Sequence, residues 1–236
     1  MRRVPELLIK PTASGVVPGE PNGELTSGHV IPRRLLATVR GVSLVTAVAF
    51  ARAGMLGPFV QTAAEEYEAA RPDAPPRCWA LLLGDIDGDT AHIHRIRFAR
   101  NVREDSPLVL AEFAETIVPC FGPAYANTRR GYWCDSRDLL AAHREAEEQG
   151  MEILGSIHLH PDWHRIGPPH ERGQRISEHP TPMDAYLFHR TGWPVNLICF
   201  ISALGDQPHY ALGAWSSPVE EGEAPRGLSV HVPVGV

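Results

Sequence analysis

His158-Leu159-His160-Pro161 closes the apolar run Ile153-Leu154-Gly155-Ser156-Ile157, and Pro180-Thr181-Pro182-Met183-Asp184 follows downstream. On an extended strand, residues two apart share a face, so both imidazoles can reach one cation. A later carboxylate completes a three-ligand site of the open kind that zinc uses in catalysis, with a fourth position left for water. Water on zinc is driven towards hydroxide near neutral pH, which makes hydrolysis of an amide or ester the reaction class to expect. His92 and His94 form a second same-face pair, although strand histidines are more often surface or packing residues. Asp85, Asp87 and Asp89 alternate like part of a calcium loop, but the rest of that loop is absent and a hydrated hairpin turn is the expectation. The chain has no Gly-x-Ser-x-Gly elbow, no Gly-x-x-x-x-Gly-Lys phosphate loop and no His-Glu-x-x-His helix.

The elements that must position these residues can be read around them. Residues 1–31 are rich in Gly and Pro with little apolar periodicity and read as an extended arm. Residues 32–70 are helix-favouring, with Leu35, Leu36, Val39, Val42, Val45 and Val48 on one face and a break near residues 54–58 that makes two helices. Strand signals at 78–84 and 90–99 flank Asp87-Gly88 and predict a hairpin. Residues 101–128 are irregular, with a helical piece at 108–118, and read as a lid, a partner-facing insertion or a plain surface excursion. Asp135-Ser136 caps a helix that Gly150 stops, with Leu139, Leu140, His143 and Ala146 on its face. The histidine strand comes next, and after Asp184 a short helix and strands at 195–202 and 209–215 joined by Gly205-Asp206. Helices mixed with hairpins predict an α/β chain of the α+β kind, built on a mixed sheet flanked by helices. The domain spans 32–217 with insertions near 102–130 and 162–180, and 218–236 form a flexible tail.

Composition narrows the function. A formal charge of −6 gives no general attraction to nucleic acid or to an anionic membrane. The apolar stretch at 35–50 contains Arg40 and is too short to span a bilayer, and no signal-peptide core follows Met1-Arg2-Arg3, so a cytoplasmic location is the default. Cys78, Cys120, Cys134 and Cys199 form no Cys-x-x-Cys pair and read as reduced, buried thiols.

The order of parts resembles the JAMM, or MPN-plus, zinc metallopeptidases. Members open with a helix, enter a strand of the type Cys-x-x-Leu-Leu-x-Gly, make a hairpin, and later present His-x-His-Pro followed by Ser-x-x-Asp. The matching pieces are Cys78-Trp79-Ala80-Leu81-Leu82-Leu83-Gly84, Arg97-Phe98-Ala99-Arg100-Asn101, the helix at 136–149, Gly155-Ser156-Ile157-His158-Leu159-His160-Pro161 and Pro180-Thr181-Pro182-Met183-Asp184. The resemblance implies an MPN/JAB-like fold, His158, His160 and Asp184 as Zn²⁺ ligands, and Thr181 in the place of the serine that stabilises the oxyanion. It also implies cleavage of an amide or isopeptide bond, at the tail of a ubiquitin-like or sulfur-carrier protein or in a small molecule.

The departures are as informative. Arg77 stands where the family carries its general-base glutamate, and an arginine cannot accept a proton at neutral pH. Leu159 replaces a small hydroxyl residue, and Pro161 lies farther from Thr181 than the family pattern has it. The intervening stretch carries His164, His170, Glu171, Glu178 and His179, any of which can supply a base, a fourth ligand or substrate recognition if it folds over the site. Glu178 and Glu171 are the loop candidates for the base, with Glu178 expected to be catalytic beside Thr181; Glu66 and Glu68 are the helix candidates. His158-x-His160-x-Asp162-x-His164 is similar to the metallo-β-lactamase-like run, but its last histidine is one residue too late. The alternative to a hydrolase is a non-peptidase MPN-type scaffold that keeps its metal, or an enzyme with repurposed metal chemistry.

Overall fold

A computed structural model of the chain describes residues 7–9, 44–162, 167, 179–204 and 207–233. In these residues the strands are β1 (Leu7–Ile9), β2 (Ala47–Phe50), β3 (Trp79–Asp87), β4 (Thr90–Phe98), β5 (Glu152–Pro161), β6 (Val195–Leu204), β7 (Gln207–Trp215) and β8 (Ser229–His231). They form one mixed sheet in the order β1-β7-β6-β5-β3-β4-β2-β8. The helices are α1 (Gly57–Ala69), α2 (Pro107–Glu112), α3 (Val118–Phe121), α4 (Ser136–Glu148) and α5 (Pro182–Thr191). A π-helical turn, Phe113–Ile117, joins α2 to α3 just before Pro119, which has no N–H to donate.

The expected hairpin is β3–β4, turned through Gly88 at a φ of 59°. β3 is buried on both faces because the sheet is covered on both. Ala80 and Leu82 enter the main core with α1, whereas Trp79, Leu81 and Leu83 pack against Ala142 and Ala146 of α4. The α4 face is thus Leu139, Ala142 and Ala146; Leu140 and His143, expected on it, are exposed, since the helix turns its 139–142–146 stripe onto β3. Asp135 does cap α4, its carboxylate accepting from the Arg137 N–H at 2.8 Å.

Two expectations fail at the edges of the sheet. The described end of the predicted helix at 32–54 is strand: residues 47–50 alternate half-buried and buried, and the β-branched Val45, Thr46 and Val48 suit that period. The tail after Pro218 is not loose throughout. The Leu228 N–H donates to the Ala214 carbonyl at 2.8 Å and the Ser229 N–H to the Thr46 carbonyl at 3.0 Å, so this segment bridges β7 to β2 and nearly closes the sheet. Leu228 is buried in the main core, and the Arg226 guanidinium donates to the Val45 carbonyl. β1, from the predicted arm, pairs in parallel with β7.

β5 runs antiparallel to β3 and parallel to β6, and parallel neighbours need a crossover, which here contains α5. Gly155 sets the β5–β6 spacing: a Cβ on it would stand 1.5 Å from the Val195 carbonyl oxygen. Gly155→Ala must therefore push the two strands apart. It is expected to cost about 1–3 kcal/mol, as overpacking does, and to weaken metal binding with it. Urea unfolding with parallel zinc titration measures both.

Candidate metal centre

His158 and His160 lie near the C-terminal end of β5, on the face opposite Ile157 and Leu159. Leu159 is part of the main core, which explains the apolar residue between the two histidines: that position faces inward rather than into the site. The crossover then returns Asp184 to the same face. Thr181 is the N-cap of α5 and Asp184 its third residue, and the two form a reciprocal capping box. The Asp184 Oδ2 accepts from the Thr181 N–H and from its hydroxyl, each at 2.7 Å, while the Thr181 Oγ1 accepts from the Asp184 N–H at 3.2 Å. The site sits where a strand C-terminus meets the first turn of the following helix, a usual ligand position in sheets with parallel neighbours.

The three side chains are 4%, 6% and 4% exposed in the order His158, His160, Asp184. The His158 Nε2 lies 3.3 Å from the Asp184 Oδ1, and the His160 Nε2 lies 3.2 Å from its Oδ2. The candidate ligand atoms of the three residues all lie within 4.8 Å of one another, close enough for one ion to gather them. Among the described residues, the Nδ1 atoms of His158 and His160 are buried without a hydrogen-bond partner, and the His158 Nε2 has only its 3.3 Å contact with Asp184, which is too poorly aligned to count as a full hydrogen bond. Buried polar atoms are rarely left so, and a cation on the imidazole nitrogens would answer part of the deficit. Metal-capable side chains converge here as His158, His160 and Asp184, the same three residues that the sequence singled out.

The electrostatics are those of a ligand set. Burial pushes the His158 imidazole below its ordinary value, so its ring stays neutral and its lone pair available. Burial alone would raise the Asp184 carboxyl, but the charge and hydrogen bonding of His160 and His158 outweigh it and hold the carboxyl well below the usual range. Aromatic rings exclude water: Tyr132 lies 4.7 Å from the His158 ring and Phe200 5.5 Å from that of His160, between centroids. Tyr132 hydrogen-bonds Ser156, and burial drives its phenol pKa upward, so it stays protonated.

Tyr132 lies just beyond residues 101–128, the stretch for which a lid, a partner-facing insertion or a surface excursion was expected, and that stretch instead packs behind the wall of the site. Phe113, Ile117 and Tyr125 form a second core with Met183 and Leu187 of α5, fixing the helix that carries Asp184. The signal that marks it in the sequence is aromatic density, in Phe121, Tyr125, Tyr132 and Trp133.

The triad lines a solvent-open pocket together with Arg77, Tyr125 and Arg130. Arg77 thus borders the site, as its sequence position suggested, but it is tied down. Its N–H donates to the Glu66 carboxylate at 2.6 Å, its Nη1 pairs with Glu104 at 3.2 Å, and its Nη2 donates to the Asn101 carbonyl at 3.2 Å. Glu66 is therefore engaged by the Arg77 backbone, Glu68 is exposed, and neither lines the pocket; among the described lining residues Asp184 is the one acid. Glu178, Glu171, His164 and His170 lie outside the described residues, and His179 is exposed. The Thr181 hydroxyl proton is committed to Asp184, so in this geometry Thr181 orients the carboxylate.

The remaining expectations sort simply. His94 pairs with Asp85 at 2.7 Å on the hairpin, and Asp89 accepts from the Thr46 hydroxyl. Cys78 and Cys199 are buried, with burial pushing the Cys199 thiol up to about 12, while Cys120 is exposed, contrary to expectation. Among the described residues no helix is long and apolar enough to cross a membrane.

Comparison with protein-family models and with curated proteins finds no match. Among solved structures, the chain is similar to the solution structure of protein DSY2949 from Desulfitobacterium hafniense, at 16% identity and a TM-score of 0.45, over 80% of this chain and 94% of that one.

Thr181→Ala removes the cap and frees Asp184 to turn. It is expected to cost about 1 kcal/mol of stability and to weaken zinc binding roughly 10–100-fold, whereas Thr181→Ser keeps both. Zinc titration against a chromogenic chelator, with thermal unfolding, reads the two effects. The pH dependence of the metal-free protein follows from the signs of the shifts. His158 and Asp184 both titrate lower when folded, so the unfolded chain binds more protons on acidification. Stability is expected to fall as pH drops below the imidazole range and again below the ordinary carboxylate range. The second loss is expected to shrink in Asp184→Asn, which urea unfolding across pH 3–8 measures.

Proposed function

We propose that this chain is a zinc-dependent amide hydrolase of JAMM-like construction on an MPN/JAB-like sheet. The observation that carries the reading is the buried His158–His160–Asp184 triad, partly unsatisfied and bordering an open pocket. In support, a strand presents both imidazoles, the first turn of the next helix presents the carboxylate, and the position expected for the base borders the same pocket. The substrate in this reading is an extended chain end, such as the tail of a ubiquitin-like or sulfur-carrier protein, or a small amide.

Zinc, when bound, polarises a carbonyl and lowers the pKa of water. The chain's own residues supply the rest. His158, kept neutral, and His160 offer nitrogen ligands, Asp184 offers charge, Thr181 fixes the carboxylate, and Tyr132 and Phe200 keep bulk water out. Hydrolysis breaks the C–N bond, adding the water's hydroxyl to the acyl carbon and its proton to the amine. The base that takes the water's proton is assigned to Glu178, three residues before Thr181 in the chain.

The rival reading, a scaffold that keeps its metal, draws on Arg77, which cannot act as a base and is paired with Glu104. The test joins metal analysis to a panel of amide and isopeptide substrates. The hydrolase reading expects about one zinc per chain, loss of zinc in Asp184→Ala, and a roughly 100-fold or greater fall in turnover in Glu178→Gln with zinc retained. Stoichiometric zinc with no cleavage across the panel leaves the scaffold; no zinc in the native chain removes both.

A further inference from the structure

The two imidazoles of the triad lack the contact that ordinarily fixes such rings. A histidine that binds a metal almost always gives its other ring N–H to a carboxylate, a carbonyl or water, which sets the plane of the ring. Here the Nδ1 atoms of His158 and His160 are buried with no hydrogen-bond partner among the described residues, and Asp184 meets only their Nε2 atoms. The torsion that turns an imidazole about its bond to Cβ is broad and two-fold, so the backbone of β5 does not choose the orientation. Packing has to choose it.

For His158 that packing is aromatic. Trp79 and His158 are register partners on β3 and β5, and the Tyr132 ring meets both. Its centroid lies 4.7 Å from that of His158 with the planes 35° apart, and 5.6 Å from that of Trp79 with the planes 19° apart. Phe188 and His160 meet the His158 ring edge-on, at 6.3 and 4.8 Å. His160 is held more lightly, by Phe200 edge-on at 5.5 Å.

Tyr132 is itself fixed at both ends. Its hydroxyl hydrogen-bonds Ser156, which precedes His158 by two residues and so shares its face of β5. Its ring rests on Trp79, which packs with Ala142 and Ala146 of α4. The Trp79 Nε1 is buried with no hydrogen-bond partner. Such an N–H is a cost that a purely apolar residue avoids, so what position 79 supplies is the large flat ring.

We propose that Tyr132 is the positioning residue of the metal centre: its ring, braced by Trp79 and tied to β5 through Ser156, sets the plane of the His158 imidazole where a hydrogen-bonded acceptor is missing. The proposal rests on the metal-binding part of the hydrolase reading and not on the cleavage. Through Tyr132, the segment between Tyr125 and α4 acts on the site by a ring and not by a ligand.

The test compares Tyr132→Leu and Tyr132→Met, which fill the space without a flat ring, with Tyr132→Phe, which keeps the ring and loses the hydroxyl. Circular dichroism checks folding, and having two ring-free variants guards against one that does not fold. Phe59→Leu, in the main core and not in the pocket lining, controls for a general loss of stability. Zinc affinity, read by competition with a chromogenic chelator, is expected to fall roughly 10–100-fold in the ring-free variants, about threefold at most in Tyr132→Phe, and not at all in Phe59→Leu. At saturating cobalt(II) the visible band is expected to match the native one in Tyr132→Phe and Phe59→Leu and to shift in the ring-free variants, since a turned imidazole changes the ligand field. Unchanged zinc affinity and an unchanged cobalt band in the ring-free variants overturn the proposal. A loss in Tyr132→Phe as large as theirs assigns the effect to the hydroxyl, and one shared by Phe59→Leu assigns it to stability; each overturns it as well. Zinc and amide cleavage without ring dependence sink this proposal alone, ring-dependent zinc without cleavage sinks the hydrolase reading alone, and a native chain that binds no zinc sinks both.

Discussion

A carboxylate taken out of water has to be met by donors or cations on every side that it loses, and Asp184 is met by four groups: the N–H and hydroxyl of Thr181 and the two imidazoles of β5. Much of the surrounding architecture serves that contact. β5 must be extended for the imidazoles to share a face, and β6 must lie parallel to β5 so that the chain crosses over and brings α5 back to the same face. The first turn of α5 must be capped by a hydroxyl residue for the carboxylate to point at β5 instead of at solvent. Gly155 lets the two strands approach closely enough, and the second core seats α5 through Met183 and Leu187.

The same pocket pairs this negative triad with a positive border. Burial holds His158 neutral on one side, whereas Arg103, behind the other, stays charged even when buried, because the ordinary pKa of a guanidinium is so much higher. The result is a polarised cleft, with two imidazoles and a carboxylate on one side and guanidiniums on the other.

Legibility in the sequence followed the range of the forces involved. The β3–β4 hairpin, the capped start of α4 and the strands around 195–215 rest on local signals, a turn, a cap and an apolar run, and all were readable. The strand at 47–50 was not. Val42, Val45 and Val48 suit a helical face as well as a strand, and the choice is made by β4 and β8, which are distant in sequence. β8 itself is a three-residue strand in a stretch of Gly, Pro and Glu, and it exists because Leu228 has a core to enter. The α4 face was misread for a related reason: Leu140 is apolar, but the sheet beneath is met by Ala142 and Ala146.

At the site, strand alternation put His158 and His160 on one face because it is local geometry, and the family resemblance added Asp184; the cap that aims its carboxylate was seen only in the structure. Tertiary structure alone brought Tyr132 to the wall and Arg103 and Arg130 to the neighbourhood of Arg77, since each comes from a segment without a regular period. It also decided the roles. Leu159 belongs to the core because β5 is covered on both faces, Thr181 orients Asp184 because the helix starts there, and Glu66 is engaged because α1 packs where its carboxylate meets the Arg77 N–H. The chain's own order determined what could bind a metal; long-range packing decided which charges surround it, because burial and pairing depend on neighbours that the sequence leaves far apart.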